Sequence, residues 1–393
     1  MHAIVEGAEA VPTRSKPGYL FVICSGNQLY SGTGTAIFEW IRYAKDHFRF
    51  GLLMDCTERR NFDIGKKFCA DNGVKFIPEV PAPKLGACDP GVARIAHYLR
   101  SGDWPYVEIV SWANAATNID VVTSVPNETK LIFTPHNQPK WTIADSERHF
   151  LIEPVLQLCL KRADVVACDC PAEVATLRDK VPEARALDLP IGVDDKKFRL
   201  SHSPKERQQV LLICDFFEHR KRPDLAIAAM QRVMARHNVS FVMAGRGSDS
   251  ISLPASIESR TTRLGYVNEA DLLSLYQRSS VFLLLSDYEA FGIPIVEALF
   301  CGTRVVINDT REMHSLYADL PGVRLVNNRD DAAVDSAILA ALEENDRSAL
   351  IRDAAVVKFA VENAFGRKLA AIKESHAHMP QSESRLYVAD VVL

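Results

Sequence analysis

Two glutamates stand eight residues apart around the start of a predicted helix. Glu289 lies in a loop after an apolar run, and Glu297 lies about one turn inside the helix. Between them, the amides of Phe291, Gly292 and Ile293 are free at the helix N-terminus, where an anion such as a diphosphate is favoured. In this setting Glu289 can accept hydrogen bonds from sugar hydroxyls, and Glu297 can bind a ribose diol.

The residues between the two glutamates suit a helix start that faces a ligand. Gly292 lets the backbone approach a ligand closely, and Pro294 presets the first helical turn. The simpler alternative is a strand, a turn and a helix with two surface glutamates, because carboxylates near a helix start are common for dipole reasons alone. The residues by themselves leave both interpretations open.

Short apolar runs alternate with helical patterns along the chain, which predicts parallel sheets with helices on both faces. The predicted strands are residues 20–24, 50–54, 106–110, 130–133, 165–167, 210–214, 241–244, 281–285 and 304–307. The predicted helices are residues 36–46, 147–160, 171–180, 223–237, 269–278 and 294–300, with further helical patterns from about 331 to 375.

The periodicity breaks near residues 192–205, where polar and charged residues predict a hinge. We therefore predict two α/β domains, residues 1–195 and 196–375, followed by a tail, 376–393, that packs back on the N-terminal domain. In parallel sheets, ligands bind at the carboxyl ends of the strands. The loops of the two domains are thus expected to face a common cleft.

Composition narrows the functional classes. The formal net charge of −4 does not favour a nucleic-acid-binding protein. Nine scattered cysteines indicate free thiols in a reducing compartment. The sequence contains no run of 18 apolar residues, so no membrane-spanning helix is predicted. The first 17 residues lack the apolar core of a signal peptide. A cytoplasmic location is therefore predicted. Two basic pairs, Arg59–Arg60 and Lys66–Lys67, could contact an anionic lipid at a membrane surface. The alternative is that these side chains belong to an ordinary solvent-exposed face.

The segment from Ser286 to Gly302 resembles the Glu-x7-Glu motif of glycosyltransferase family 4. The segment follows the family pattern in order: it contains Ser-x-x-Glu-Ala-Phe-Gly-Ile-Pro, then Glu-Ala, then Cys-Gly. The resemblance is firm over residues 160–375 and looser before. It also includes residues 189–194, 221–225, 241–247 and 263–267.

This resemblance implies a GT-B fold, in which two Rossmann-like domains with parallel sheets face a central cleft. It implies transfer of a sugar from a nucleotide-sugar donor, a UDP- or GDP-sugar, to a glycan, lipid-linked or small-molecule acceptor, with retention of anomeric configuration. The residues placed at the donor are Gly32, Gly34, Arg220, Lys221, Gly245, Arg246, Tyr266, Val267, Glu289, Phe291, Gly292, Ile293, Pro294 and Glu297.

Catalytic roles follow from the same resemblance. Glu289 is expected to orient the sugar, and Lys221 to stabilise the departing diphosphate. His136 after its apolar strand resembles the family histidine that reaches the transferred sugar, whereas the alternative is a loop histidine without a role. No Asp-x-Asp motif occurs, so neither a metal ion nor a cofactor besides the nucleotide sugar is expected.

One position departs from the family pattern. Asp215 stands six residues before Lys221, where the family has a basic residue that binds the diphosphate. An aspartate there would repel phosphate, and Arg220, Arg222 or Arg246 are the candidates to supply the missing charge. Asp215 therefore leaves open a non-catalytic sugar-nucleotide-binding protein. A GT-B-like epimerase or phosphorylase is a separate alternative, against which the Glu-Ala-Phe-Gly-Ile-Pro segment argues.

Overall fold

Two parallel sheets, one in each half of the chain, form the framework of the structure. The structure, a computed structural model, describes residues 16–23, 29, 32–55, 59–79, 95, 97–100, 102–110, 122–136, 157–203 and 205–377. The N-terminal strands are β1 (Gly18–Ile23), β2 (Arg49–Asp55), β3 (Lys75–Glu79), β4 (Tyr106–Val110), β5 (Lys130–Thr134), β6 (Val165–Cys168) and β7 (Ala186–Asp188). They pair in the order β3-β2-β1-β4-β5-β6-β7, all parallel.

The C-terminal sheet has the corresponding order, β10-β9-β8-β11-β12-β13, again all parallel. Its strands are β8 (Glu206–Ile213), β9 (Ser240–Ala244), β10 (Thr261–Arg263), β11 (Ser279–Leu284), β12 (Arg304–Asn308) and β13 (Val323–Val326). In both sheets the first strand of the domain lies beside its second and fourth strands, which is the order of a Rossmann fold. The predicted α/β class with two Rossmann-like domains is confirmed.

Helices cover these sheets. They span Gly32–Ala44, Arg59–Asn72, Pro171–Lys180, Pro223–Met234, Ala255–Glu258, Glu269–Arg278, Ile293–Phe300, Arg311–Tyr317, Asp331–Glu343, Ser348–Phe359 and Val361–Ala377. None of the helices in the described ranges is long and apolar enough to cross a membrane.

Local chemistry explains several element boundaries. The helix Glu269–Arg278 begins as predicted, because the side chain of Asn268 accepts a hydrogen bond from the amide of Asp271 at 2.9 Å. Strands β1 and β11 are buried along their whole length. This burial explains why Tyr19–Ile23 in β1 and Val281–Leu284 in β11 are continuous apolar runs rather than alternating ones.

The first helix begins earlier than predicted, at Gly32 rather than Ala36. Gly32 and Gly34 therefore belong to its first turn and not to a preceding loop. Gly34 is required for packing, since a Cβ there would lie 1.9 Å from the carbonyl oxygen of Leu29. The predicted helix 147–160 lies outside the described residues before residue 157, and residues 157–162 are helical.

The chain crosses between the domains twice, and the two crossings bind each other. The amide of Val193 donates to the carbonyl of Phe359 at 2.9 Å, and the amide of Val361 donates to the carbonyl of Val193 at 3.1 Å. These backbone hydrogen bonds join the hinge segment, at Val193, to residues 359–361, where the chain returns to the N-terminal domain. They hold the two connections together where the domains meet.

The last described helix, Val361–Ala377, packs on the N-terminal sheet. Its side chains Phe365, Leu369 and Ile372 join the core that covers β1 and β2. The sequence-based domain boundary at residue 375 would assign this helix to the C-terminal domain, whereas its apolar face lies against the N-terminal one. Of the tail predicted at 376–393, residues from 378 onward lie outside the described part.

A buried ion pair ties this helix to the sheet. Lys368 Nζ lies 2.8 Å and 3.0 Å from the two carboxylate oxygens of Glu108, in the middle of β4. Thr134 Oγ1 donates to the same carboxylate at 2.5 Å, and the hydroxyl of Tyr19 also donates to it. Burial alone would raise the pKa of Glu108, but Lys368 and these hydrogen bonds hold it below its usual value.

Candidate active site

A cleft of about 710 Å³ opens between the two domains, at the carboxyl ends of both sheets. Most residues that the sequence placed at the donor or in catalysis line this one cleft. They are Gly32, His136, Arg220, Lys221, Gly245, Arg246, Tyr266, Glu289, Phe291, Gly292, Ile293, Pro294 and Glu297. The parallel topology explains the convergence, because the loops after parallel strands meet at one edge.

Two predicted residues do not line the cleft. Gly34 is buried in its helix against the backbone of Leu29. Val267 is partly buried and packs against the C-terminal core. Their neighbours Gly32 and Tyr266 do line the cleft.

Glu289 and Lys221 form a direct ion pair inside the cleft. Lys221 Nζ lies 2.7 Å and 2.9 Å from the carboxylate oxygens of Glu289, and Ser286 Oγ donates to the same carboxylate at 2.7 Å. Burial would raise the pKa of Glu289, but Lys221, then Arg220, lower it below its ordinary value. The pair therefore presents a carboxylate with fixed orientation beside a cation.

Glu297 lies one turn into the helix Ile293–Phe300 and is bound by a tyrosine. The hydroxyl of Tyr276 donates to Glu297 Oε2 at 2.8 Å. Burial raises the pKa of Glu297 to about 7, against the lowering effect of this hydrogen bond. One carboxylate oxygen is thus held by the protein, and the side chain lines the cleft.

The helix start between the two glutamates has the backbone that an anion site requires. Gly292 has φ of +79°, and a Cβ there would lie 2.6 Å from the side chain of Ile295. Among the described residues, the amides of Phe291, Gly292 and Ile293 donate to no protein acceptor. Across the cleft, a Cβ on Gly32 would lie 3.5 Å from Cδ1 of Ile293. The starts of a helix from each domain therefore face each other.

The unusual aspartate at the end of β8 is paired. Asp215 Oδ2 accepts a hydrogen bond from Nε of Arg246 at 2.9 Å, and both residues line the cleft. Arg222, one of the three arginines considered for this position, instead binds Asp224 and Asp287 and is absent from the cleft lining. The structure therefore pairs Asp215 with Arg246.

His136 contacts an aspartate that the sequence did not single out. Asp169, just after β6, places Oδ2 3.1 Å from Nδ1 of His136, and both residues line the cleft. Asp169 stands between Cys168 and Cys170 in the sequence and directly follows β6. Its position directly after the buried strand β6 was the sequence feature that could have predicted its place in the cleft.

Part of the chain matches a known family. Residues 194–356 match the model of the family described as "Glycosyl transferases group 1". A phosphatidyl-myo-inositol mannosyltransferase of Mycolicibacterium smegmatis is 30% identical over 168 residues, which cover 41% of this chain and 44% of that protein. An uncharacterized glycosyltransferase of Methanocaldococcus jannaschii is 29% identical over 128 residues, 31% of this chain and 33% of that protein. The chain thus spans less than half the length of these curated relatives.

Solved structures match over nearly the whole chain. HepE of Anabaena in complex with UDP and glucose aligns with a TM-score of 0.72 at 14% identity, covering 91% of this chain and 100% of that one. Sucrose-phosphate synthase of Thermosynechococcus elongatus aligns with a TM-score of 0.72 at 17% identity, covering 92% and 100%. With its two parallel-sheet domains facing one cleft, this chain has the GT-B fold of glycosyltransferase structures.

Proposed function

We propose that this protein is a retaining glycosyltransferase of family 4. It transfers a hexosyl or related sugar from a UDP- or GDP-sugar to a glycan, lipid-linked or small-molecule acceptor. The single observation that carries the proposal is the convergence, in one cleft, of the free amides of residues 291–293, the Lys221 ammonium and the Glu289 carboxylate. The matched family segment and its relatives support the same activity.

In the proposed donor complex, the diphosphate lies at the start of the helix Ile293–Phe300, where its amides and dipole favour an anion. Glu297, whose other oxygen is held by Tyr276, accepts hydrogen bonds from the ribose diol. Glu289 accepts hydrogen bonds from hydroxyls of the sugar. Lys221, bound to that carboxylate, bridges between the sugar site and the phosphate site.

The proposed reaction follows a front-face course. The bond between the anomeric carbon and the diphosphate oxygen breaks, and the acceptor oxygen bonds to the same face of that carbon. The acceptor oxygen is itself the nucleophile, and its proton passes to the departing diphosphate oxygen, so this scheme requires neither a protein nucleophile nor a protein base. Lys221, Arg220 and the amides stabilise the charge on the leaving group, which is the largest contribution a protein can make to such a step. The reaction needs no metal ion in this scheme.

A non-catalytic nucleotide-sugar-binding protein is the alternative that Asp215 favours, because a carboxylate at this position would not stabilise the charge of a departing diphosphate. Its pairing with Arg246 neutralises that charge and leaves the catalytic proposal in place. A GT-B-like epimerase or phosphorylase is the other alternative. Its products differ from those of a glycosyltransferase, so product analysis distinguishes the two. The cytoplasmic location predicted from the sequence is retained as part of the proposal.

A two-part experiment tests the proposal. UDP-, GDP- and ADP-sugars are screened by thermal shift, since a ligand at 100 times its Kd stabilises the native state by about 2.7 kcal/mol. The sugar that binds is then incubated with candidate acceptors, and NMR of the product identifies its anomeric configuration. We expect transfer with retention. Binding without transfer favours the non-catalytic class, and a product of inverted configuration contradicts the proposed mechanism.

A matched pair of variants localises the binding. Glu297→Ala should clearly reduce the thermal shift, whereas Glu343→Ala, at an exposed glutamate of the same domain that does not line the cleft, should preserve it. Equal shifts for both variants would place the nucleotide elsewhere.

A further inference from the structure

The backbone at His136 is held in an unfavourable conformation. Its φ of +53° lies in the left-handed region, which few residues other than glycine adopt. Such residues persist where the surroundings determine them, and they are concentrated at ligand sites. At His136 this conformation follows the end of β5 and places the imidazole on the wall of the cleft.

Asp169 is the group that holds this imidazole. It is only 2% exposed, and its two carboxylate oxygens lie 3.1 Å and 3.3 Å from Nδ1 of His136. Within the described part of the chain, the Asp169 side chain makes no other hydrogen bond, while its own amide donates to Oε2 of Glu173 at 2.8 Å. The buried carboxylate is therefore dedicated to His136.

The contact decides which nitrogen of His136 carries hydrogen. A neutral imidazole has one N–H donor and one bare acceptor nitrogen. A carboxylate facing Nδ1 accepts from that nitrogen, so the hydrogen resides on Nδ1 and Nε2 is left as the acceptor. In the described ranges, Nε2 has no hydrogen-bond partner from the protein. It is the nitrogen available to a ligand.

We propose that Asp169 is a positioning residue that holds His136 as the Nδ1–H tautomer, so that Nε2 accepts a hydrogen bond from a hydroxyl of the transferred sugar. This inference rests on the proposed function for the identity of the ligand. It assigns the direction of the hydrogen bond, because the sugar donates and the histidine accepts. It also gives the unfavourable backbone conformation of His136 a purpose.

The tautomer is measured first, without any substrate. Long-range ¹H–¹⁵N NMR of protein labelled in histidine distinguishes the two nitrogens, and the His136 signals are identified by their loss in His136→Gln. We expect the Nδ1–H tautomer in the wild type. In Asp169→Asn the amide can donate as well as accept, so a shift towards the Nε2–H tautomer is expected. A wild-type His136 with hydrogen on Nε2 overturns the proposal.

Kinetics then test the role. Loss of an oriented hydrogen bond in the reacting complex should reduce kcat of Asp169→Asn by about 10- to 100-fold. The Kd for free UDP or GDP, which carries no sugar, should remain within about twofold, because a purely structural defect would weaken both. Unchanged kcat in Asp169→Asn would refute the positioning role.

Asp164→Asn is the matched control. Asp164 stands just before β6, at its opposite end, is partly buried, and pairs with Lys130 at 3.3 Å. This variant should lose stability without changing the His136 tautomer or kcat. If the wild type binds no nucleotide sugar, the proposed function fails while the NMR spectrum still reports the tautomer. If the wild type transfers sugar and Asp169→Asn does so equally well, only the positioning role fails.

Discussion

Lys221 Nζ lies 2.7 Å from Oε1 of Glu289, so a cation and an anion of the candidate site neutralise each other before any ligand arrives. Glu289 is buried and Lys221 is partly buried, with side-chain exposures of 8% and 16%. Each partner thereby avoids the cost of an isolated buried charge. The same contact couples the place where a sugar would bind to the place where a phosphate would leave.

Glu289→Gln should impair turnover more than nucleotide binding. The amide retains the size of the side chain but loses the charge that orients Lys221 and accepts from the sugar. We expect kcat to fall by about 100-fold and the Kd for the free nucleoside diphosphate to change by less than about fivefold. Steady-state kinetics and calorimetry measure the two quantities. An equal loss of nucleotide binding would mean that Glu289 does not act on the sugar.

Donor binding should strengthen with pH through the range set by Glu297. Its pKa is about 7 because the carboxyl is buried. A ribose diol donates two hydrogen bonds, so it binds the ionised form better and lowers this pKa. Donor affinity should therefore increase as the pH rises from about 6 to 8 and level off above. Calorimetry in wild type and in Glu297→Gln checks this, because the variant should bind more weakly without this pH dependence.

Glu297→Ala should weaken donor binding by about 1.5–3 kcal/mol, the usual cost of losing a hydrogen bond to a charged group. The hydroxyl of Tyr276 also loses its acceptor in this variant. Tyr276→Phe provides the comparison, since it removes the hydroxyl and leaves the carboxylate. A folded Glu297→Ala protein with wild-type donor affinity would exclude Glu297 from the site.

Asp215→Ala should reduce donor affinity even though it removes a negative charge from the cleft. The carboxylate holds the guanidinium of Arg246, and an untethered arginine loses more conformational freedom when it binds phosphate. We expect a loss of about three- to tenfold in Kd, measured by calorimetry. Asp224→Ala, which breaks the equivalent pair with Arg222 outside the cleft, should leave donor affinity unchanged. Tighter binding in Asp215→Ala at full activity would contradict this role.

Lys368→Met should destabilise the protein by about 3–5 kcal/mol, because Glu108 is left as an unpaired buried charge. The double variant Glu108→Gln/Lys368→Met should lose less. The folded-state pKa of Glu108 is below its unfolded value, so the stabilisation is present above the unfolded pKa. It should be lost as the pH falls below about 5 and through the folded pKa. Urea unfolding at several pH values measures both effects, and equal stability of wild type and Lys368→Met would refute them.

The elements with local signals were predictable from the sequence. The helices Pro171–Lys180 and Glu269–Arg278 and the strand β4 have the predicted bounds. Proline at a helix start, an asparagine cap and a short run of mainly apolar residues each act within a few residues. The motif from Ser286 to Gly302 likewise has its predicted place between a buried strand and a helix.

Contacts between distant segments were not predictable. Glu108 and Lys368 are 260 residues apart, and His136 and Asp169 meet only because β5 and β6 are neighbours in the sheet. A single sequence contains no sign of which strand ends are adjacent. The three-residue strands β7 and β10 were missed because so short a run has no measurable period.

The return of the helix Val361–Ala377 to the first domain has a consequence for the order of synthesis. A chain leaves the ribosome from its N-terminus, and domains usually fold as they emerge. Here Phe365, Leu369 and Ile372 complete the hydrophobic core around β1 and β2. They emerge only after the entire second sheet has been translated. The domain that begins first is therefore completed last, and part of its core surface has no covering helix until the end of translation.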